Sequence, residues 1–308
     1  MQWSTRASTL ATALDLHHSW YPQMANTPHH DLQRLDSEAE RAVAELGIPP
    51  CPKILTGLLR EFRADEPDLA RVASMIGADL TLGAAVLKTA NSSFYGLKTK
   101  ATSVQRAVAV LGLHTTQHLV TGLLLRQSFP AGDSAAMERF WEVSTSFAEI
   151  AGFVAREVGN DPHEAHTFAL FRDAGMLIMR RKYPVYEDLL DGSALDGTVR
   201  IVEVEHERYG IDHTRVGFHL ARTWELDEDF ATAIGCHHDF ASWANVSAGS
   251  RRLAAIGLVA ERLWIAMEGD EPDLEWTEGG AGALSVLGVD ESAIEGWTEA
   301  VGEQVAAG

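Results

Sequence analysis

The residue pair with the clearest potential for chemistry is Arg172–Asp173, which lies inside a largely apolar segment at residues 167–182. The length of this segment and its lack of internal proline predict a single buried helix. Burying two charges is costly unless each has a partner. Because adjacent helical residues point about 100° apart, the two charges need not bond each other, and we expect each to reach a group on another element. The pair is then either a satisfied ion pair of a core helix, or Asp173 forms the floor of a site.

Three histidines near the ends of predicted helices are the other candidates for chemistry. His213 follows the predicted cap Asp212, and His237 and His238 close a later helix. Imidazoles ligate transition metals, but they also satisfy buried polar groups, and a protonated imidazole is favoured at a helix C-terminus. Both interpretations stay open, because spacing alone does not show that the three side chains converge. Cys236 is interpreted as a small buried residue, since no base that would activate its thiol is identifiable.

Short helices at short spacing position these residues. Apolar side chains recur at helical spacing, and no stretch has the alternating pattern of a strand, so we predict an all-α fold. We expect an N-terminal helical bundle packed on a second helical bundle. The predicted parts are an N-terminal extension at 1–44, the N-terminal lobe at 45–130, the second lobe at 131–267, and an acidic tail with a terminal helix at 268–308.

Local signals refine this organisation within the N-terminal lobe. Ser103 is a predicted N-cap, and Gly112 is predicted to break the helix that follows it. The segment Asn-Ser-Ser-Phe-Tyr-Gly at 91–96 predicts a structural corner. In that corner Phe94 and a neighbouring tyrosine would anchor between the two lobes, and the final glycine would supply a turn conformation.

The two ends of the chain differ from its centre. The extension at 1–44 carries histidine pairs at 17–18 and 29–30, but no third ligand at fixed spacing, so we interpret it as solvent-exposed. The tail at 268–308 has no basic residues and is interrupted by glycines, and we expect it to be partly separable from the core.

Composition limits the classes of function. The chain has 308 residues, 46% hydrophobic and 22% charged, and a net charge of −19. Nucleic-acid binding depends on basic side chains that displace counterions, so no nucleic-acid partner is expected. No apolar run reaches the ~18 residues of a membrane span, and no secretory signal is evident. With only two distant cysteines, the chain is predicted to be cytoplasmic, without a membrane partner.

Six segments, in one order, resemble successive signatures of the HDOD domain. They are 46–52, 90–96, 102–112, the helix of Arg172 and Asp173, 209–217, and the pair 237–238. The HDOD domain is an all-helical relative of the HD metal-dependent phosphohydrolases, including the HD-GYP cyclic-dinucleotide phosphodiesterases. It is generally regarded as non-catalytic and occurs in bacterial signalling and regulatory proteins. Six blocks in register are far more specific than any single motif.

The resemblance also implies which positions correspond to the metal site of the catalytic relatives. The first histidine ligand corresponds to Val143, and Arg172 replaces the histidine of the HD pair, whose aspartate is Asp173. The second-metal ligands correspond to His213, His237 and His238, and the last aspartate lies near Glu261. Two ligands are therefore missing, at Val143 and at Arg172, and the second of these positions carries a cation that repels metal. The resemblance implies a degenerate HD site or ligand pocket with no catalytic residue.

These features lead to the expectation of a regulatory or signal-transduction module, which binds a signalling protein partner or a small ligand without catalysis. No cofactor is expected. The charge of Arg172 would offset the repulsion between Asp173 and Glu261, as a metal does in the catalytic relatives. The alternative is a metal-dependent phosphohydrolase acting on a nucleotide or cyclic dinucleotide, with Mn, Fe, Mg or Zn as cofactor. The metal ligands would then be Asp173, His213, His237 and His238.

Overall fold

Helices form all the regular structure in the described part of the chain. The computed structural model describes residues 45–132, 134–190, 199–268 and 273–307, none of which belongs to a β-strand. The all-α prediction is therefore confirmed. The fourteen α-helices of these residues are α1 (Lys53–Phe62), α2 (Leu69–Ala78), α3 (Leu80–Ala90), α4 (Val104–Ser128), α5 (Ala135–Glu157), α6 (Pro162–Arg172), α7 (Ala174–Lys182), α8 (Glu187–Leu190), α9 (Ile201–Tyr209), α10 (His213–Thr223), α11 (Glu228–Cys236), α12 (Ala248–Met267), α13 (Leu274–Leu287) and α14 (Glu291–Ala307).

The chain divides into two units, Met1–Glu45 and Leu46–Gly308, and all fourteen helices belong to the second. The predicted extension at 1–44, with its two histidine pairs, lies outside the described residues. The described residues that form the site all belong to the second unit.

Helix α4 is the centre of the N-terminal lobe and packs against α1, α2 and α3. It begins at the predicted cap Ser103, whose Oγ accepts a hydrogen bond from the Arg106 amide at 3.1 Å. At Gly112 the backbone takes φ 76° and ψ 175°, so the helix is broken there, as the sequence predicts. Beyond this break, α4 packs on α6, where a Cβ on Gly122 would lie 3.0 Å from the Leu170 side chain.

The second lobe brings three helix ends to one place. Helix α5 packs on α6 and α12, while α10 packs on α7 and α11. Asp173 follows the last residue of α6, His213 is the first residue of α10, and His237 follows the last residue of α11. The site is thus held by the helical packing rather than by a long loop.

The segment at 167–182 forms parts of two helices, so the prediction of a single helix is wrong. Helix α6 ends at Arg172, Asp173 takes φ −100° and ψ 8°, and α7 follows. The break allows the two helices to pack on different partners, α6 on α5 and α7 on α10. Helix α7 approaches α10 so closely that a Cβ on Gly175 would lie 1.9 Å from the His213 carbonyl oxygen.

The corner that follows α3 lies between the two lobes, as the sequence predicts. The Asn91 side chain holds it through two hydrogen bonds to the Ala101 backbone, at 2.9 and 2.7 Å. Gly96 ends the corner in the left-handed region, with φ 57°. Phe94 packs on the ring of His166 in α6, with 4.6 Å between ring centroids. The corner therefore fixes the N-terminal lobe against the second lobe.

The C-terminal segment packs on α12 through two helices, α13 and α14. Trp276, Leu284 and Leu287 of α13 are buried, and so are Ile294 and Val301 of α14. The sequence predicts α14 but not α13, whose three glycines lower its helix propensity. This packing is at odds with the expectation that the tail is separable from the core.

One described helix, α4, is long and apolar enough to cross a membrane, judged by length and composition. Half of its most apolar window is buried inside the protein, as in a helix of a protein core. The pair α2 and α3 passes the same test only when counted together, and it is bent by 119°. The cytoplasmic location stays a prediction.

Candidate metal centre

A single guanidinium lies between two carboxylates at one side of the site. Arg172 is buried, and its Nε and Nη1 donate to Asp173 Oδ2 at 3.0 Å and Glu261 Oε2 at 3.1 Å. Its Nη1 also lies 3.4 Å from the Gly257 carbonyl oxygen, and its guanidinium carbon lies 4.9 Å from the Phe147 ring centroid. Burial alone would lower the pKa of Arg172, but the two carboxylates outweigh it and raise that pKa. The charge is therefore permanent and paired.

Asp173 contacts both Arg172 and two of the histidines of the site. Its Oδ2 accepts from Arg172, because the non-helical backbone at Asp173 removes the regular helical offset. Both charges also reach other elements, as expected: Arg172 donates to Glu261, and Asp173 faces two histidines. Its Oδ1 lies 3.5 Å from His213 Nε2 and 3.3 Å from His237 Nε2. Burial raises the pKa of Asp173, but Arg172 and the two imidazoles outweigh it and hold that pKa well below its usual value.

The carboxylate of Glu205 fixes the position of His213. The Asp212 side chain caps α10 by accepting from the Arg215 amide, which makes His213 the first helical residue. The backbone nitrogen and Nδ1 of His213 lie 2.9 and 2.7 Å from Glu205 Oε2. The Tyr186 hydroxyl donates to the other oxygen of Glu205. Carboxylates placed in this way orient the metal-binding imidazoles of many proteins.

The adjacent pair His237 and His238 is anchored by two different acceptors. His237 Nδ1 lies 2.7 Å from the Ile234 carbonyl oxygen, one turn back in α11. His238 Nδ1 lies 3.0 Å from Glu275 Oε2, and Arg200 holds the same carboxylate through contacts of 2.8 and 2.9 Å. A neutral ring that faces an acceptor carries its proton on Nδ1, which leaves Nε2 as a free ligand atom.

The three imidazoles and one carboxylate form a cluster that could hold a metal ion. One ligand atom from each of Asp173, His213, His237 and His238 lies within 4.8 Å of all the others. The structure therefore brings together four of the predicted site residues. Arg172 adjoins them through Asp173, and Glu261 adjoins Arg172. Val143 is half-buried on α5 and offers no ligand atom.

The three imidazoles differ in protonation. Burial lowers the pKa of His237, and it lowers the pKa of His238 to about 3. Burial also opposes the charge on His213, but Glu205 and Asp173 outweigh it and raise the pKa of His213 to about 10. A proton on His213 Nε2 then faces His237 Nε2 at 3.4 Å. At His238 desolvation outweighs the helix dipole that would favour a protonated ring.

The donor set fits one divalent transition-metal ion. Three imidazole nitrogens and a carboxylate suit Zn²⁺ or Fe²⁺, whereas Mg²⁺ prefers oxygen ligands and keeps several waters. The proton on His213 Nε2 is the one that such an ion would displace. A second ion on the far side of Asp173 does not fit, because the guanidinium of Arg172 lies there with its own positive charge.

Two carboxylates that contact the histidines, and the two side chains that contact those carboxylates, were not predicted from the sequence. They are Tyr186, Arg200, Glu205 and Glu275. Helix α9 has many charged residues and is easily interpreted as a solvent-facing helix. The one available signal was spacing: Glu205 shares a helical face with Ile201 and Tyr209, four residues away on either side.

The fold and the cluster define an all-helical protein with a candidate metal site, and the family can be stated. Residues 48–240 match the HDOD domain family, and this span is more than half of the 308-residue chain. The chain therefore belongs to the HDOD domain family, as its resemblance predicts.

Individual relatives are distant. An uncharacterised protein of Treponema pallidum (strain Nichols) is 21% identical over 205 residues, which cover 62% of this chain and 38% of that protein. A structure from Shewanella amazonensis SB2B, provisionally named a phosphohydrolase, has a TM-score of 0.66 and 23% identity, covering 86% of this chain and 93% of that one. An HDOD domain protein of unknown function from Geobacter sulfurreducens has a TM-score of 0.60 and 21% identity, covering 82% and 92%. The two structures share the helical fold.

Proposed function

We propose that this chain is a regulatory module of the HDOD type, which binds a signalling protein partner or a small ligand and does not hydrolyse phosphoesters. The observation that carries this proposal is the position of Arg172. Its guanidinium lies against Asp173 and Glu261, where the resemblance places a metal of the hydrolytic relatives. A guanidinium offers no coordination position at which a water could be activated, whereas two-metal hydrolysis needs an ion for the attacking and the leaving oxygen.

We also propose one divalent transition metal, Zn²⁺ or Fe²⁺, as a cofactor of the cluster. The ligands would be Asp173, His213, His237 and His238. The sequence analysis expected no cofactor and kept a metal as the alternative, and the anchored donor set favours that alternative. When bound, such an ion supplies Lewis acidity, and it would also link α6, α10 and α11 at their converging ends.

The same cluster supports a second candidate function, a one-metal phosphohydrolase. A catalytic metal site needs three protein ligands and one open position, and four candidate ligands could leave such a position. This enzyme would act on a nucleotide or a cyclic dinucleotide with a single metal ion, because Arg172 excludes a second ion.

Turnover separates the two candidates, and metal content tests the one-metal site that both share. Protein purified without chelator should contain about one equivalent of Zn or Fe by mass spectrometry, and the His237→Ala variant should lose it. His206→Ala, an exposed histidine on α9, is the matched control and should keep the metal. We expect no cleavage of cyclic dinucleotides above a blank with Mn²⁺, Fe²⁺ or Mg²⁺. Cleavage that disappears in Asp173→Ala would replace the regulatory proposal with the hydrolase.

A further inference from the structure

The ring of His238 is held by a helix outside the family-matched span. Glu275, which approaches His238 Nδ1 to 3.0 Å, belongs to the first turn of α13, beyond residues 48–240. The other two histidines are anchored from within that span, by Glu205 and by the Ile234 carbonyl oxygen. One of the three supports of the cluster therefore comes from the C-terminal segment.

Arg200 joins this support to the backbone of the histidine that it orients. Its Nε and Nη2 lie 2.8 and 2.9 Å from the two oxygens of Glu275, and Nη2 also donates to the His238 carbonyl oxygen. Its guanidinium carbon lies 5.2 Å from the Phe240 ring centroid. Arg200 also contacts Glu278, one turn further along α13, at 3.3 Å. A bidentate pair of this kind fixes orientation as well as distance.

Helix α13 is seated against the same region by direct packing. A Cβ on Gly279 would lie 2.6 Å from the Phe240 ring, so the helix touches the ring over which Arg200 lies. Near the other end of α13, Arg252 Nη1 donates to the Val286 carbonyl oxygen at 3.1 Å. Any movement of α13 therefore moves Glu275 away from His238.

We propose that α13 is a latch on the metal cluster: seating Glu275 on His238 raises the affinity for one divalent transition metal, and the bound metal stabilises the docked position of α13. This proposal rests on the proposed one-metal site. The two effects are reciprocal, because a coupling between two binding equilibria changes both by the same factor. Docking of the C-terminal segment would thus depend on whether the cluster holds an ion. A partner that displaced α13 would release the ion.

A matched pair of variants tests the latch through metal affinity. Glu275→Gln keeps the shape of the side chain but removes the charge that faces His238 and Arg200. Glu278→Gln is the control, since Glu278 contacts the same arginine but is 53% exposed. Affinity for Co²⁺ and Zn²⁺ is measured by titration against a competing chelator. We expect Glu275→Gln to bind about 10-fold or more weakly, as for other outer supports of metal ligands, and Glu278→Gln to match the parent.

Hydrogen exchange on the unmodified chain gives a second measurement. It tests the latch even if Glu275→Gln fails to fold. Amides of α13 should exchange more slowly with Zn²⁺ than without it, and this difference should vanish in His237→Ala. Parent-like affinity in Glu275→Gln, or exchange of α13 that ignores the metal, overturns the latch and leaves the one-metal site standing. A parent chain that takes up no Co²⁺ or Zn²⁺ overturns both.

Discussion

At the scale of single residues, charge balance explains the difference between the two carboxylates that contact Arg172. One guanidinium neutralises one carboxylate, whereas a divalent ion would neutralise two. Arg172 and the imidazoles hold the pKa of Asp173 well below its usual value, while burial keeps the pKa of Glu261 above its usual value in spite of Arg172. Asp173 is therefore the main counterion of Arg172, and Glu261 is the carboxylate that gains a proton more easily.

Removing this cation should destabilise the fold. Arg172→Ala leaves Asp173 buried without its counterion, which typically costs ~3–5 kcal/mol. Because the pKa of Asp173 is depressed, its stabilising pairing is present above the ordinary pKa near 4 and is lost as the pH falls further, so the gap between variant and parent should narrow in acid. Urea unfolding at pH 7 and pH 3 measures this gap.

The control for Arg172→Ala is Arg222→Ala, since Arg222 is 57% exposed and lies 3.7 Å from Glu228. Exposed pairs contribute little, so its unfolding free energy should change by less than ~1 kcal/mol. Equal effects of the two substitutions would contradict the assignment of Arg172 as a buried structural cation.

The sequence predicted the residues of the cluster better than the residues that contact and orient them. A charged pair in an apolar segment and histidines at helix ends are visible as patterns, and Arg172 does lie between Asp173 and Glu261. Glu205 and Glu275 could not be identified in this way. A glutamate on a polar helix looks the same whether it faces solvent or a histidine, because its partner is set by the packing of distant segments.

At the scale of elements, the close approach of α7 to α10 places His213. Gly175 permits this approach, because any side chain there would meet the backbone of α10 rather than a flexible side chain. Backbone cannot move aside without carrying His213 with it. The distance between these two helices therefore also sets the geometry of the cluster.

Gly175→Ala should then both destabilise the protein and weaken metal uptake. Overpacking a core costs ~1–3 kcal/mol, and a backbone contact at 1.9 Å belongs at or above the upper end of that range. Chemical unfolding and a Co²⁺ titration measure the two effects. Gly77→Ala is the control, since Gly77 lies in an exposed part of α2 with nothing within 4 Å of the added methyl. It should stabilise by about 0.5–1 kcal/mol.

Two elements were predicted incorrectly for the same physical reason. The segment at 167–182 has the composition of one helix, and the glycines of α13 make it look like a linker. In both cases tertiary contacts outweigh local propensity: α7 turns to meet α10, and Gly279 allows α13 to lie against Phe240. Features with a strong local cause, such as the cap at Ser103, were predicted correctly.

At the scale of the whole molecule, the two lobes meet across a cluster of rings. Tyr95 stacks on His163 with centroids 5.2 Å apart, and Phe94 packs on His166 at 4.6 Å. On the neighbouring helix α4, the His118 carbonyl oxygen accepts from the Thr167 hydroxyl at 3.2 Å. Burial, with a smaller effect of nearby histidines, lowers the pKa values of His118 and His166 to about 4.

The junction between the lobes should therefore weaken in mild acid. In the unfolded chain these histidines titrate near 6.5, so between pH 6.5 and 4 the unfolded state binds more protons and stability falls with pH. The loss between pH 6.5 and 5 is at most about 2 kcal/mol for each histidine. Urea unfolding across this range should show a smaller loss in His118→Gln/His166→Gln than in the parent or in His206→Gln, an exposed control. Identical pH profiles would contradict the prediction.

The anchoring of the three imidazoles at Nδ1 has a consequence for how quickly and reversibly an ion could enter. Side chains that are already oriented lose little freedom on binding, and the entropy saved is about 0.5–1.5 kcal/mol for each. Helices α6, α10 and α11 also pack on α5, α7 and α12 through an apolar core, whereas a zinc finger has little core besides its metal. Binding and release of the proposed ion would then need no folding step, and occupancy of the cluster would follow the concentration of free ion in both directions.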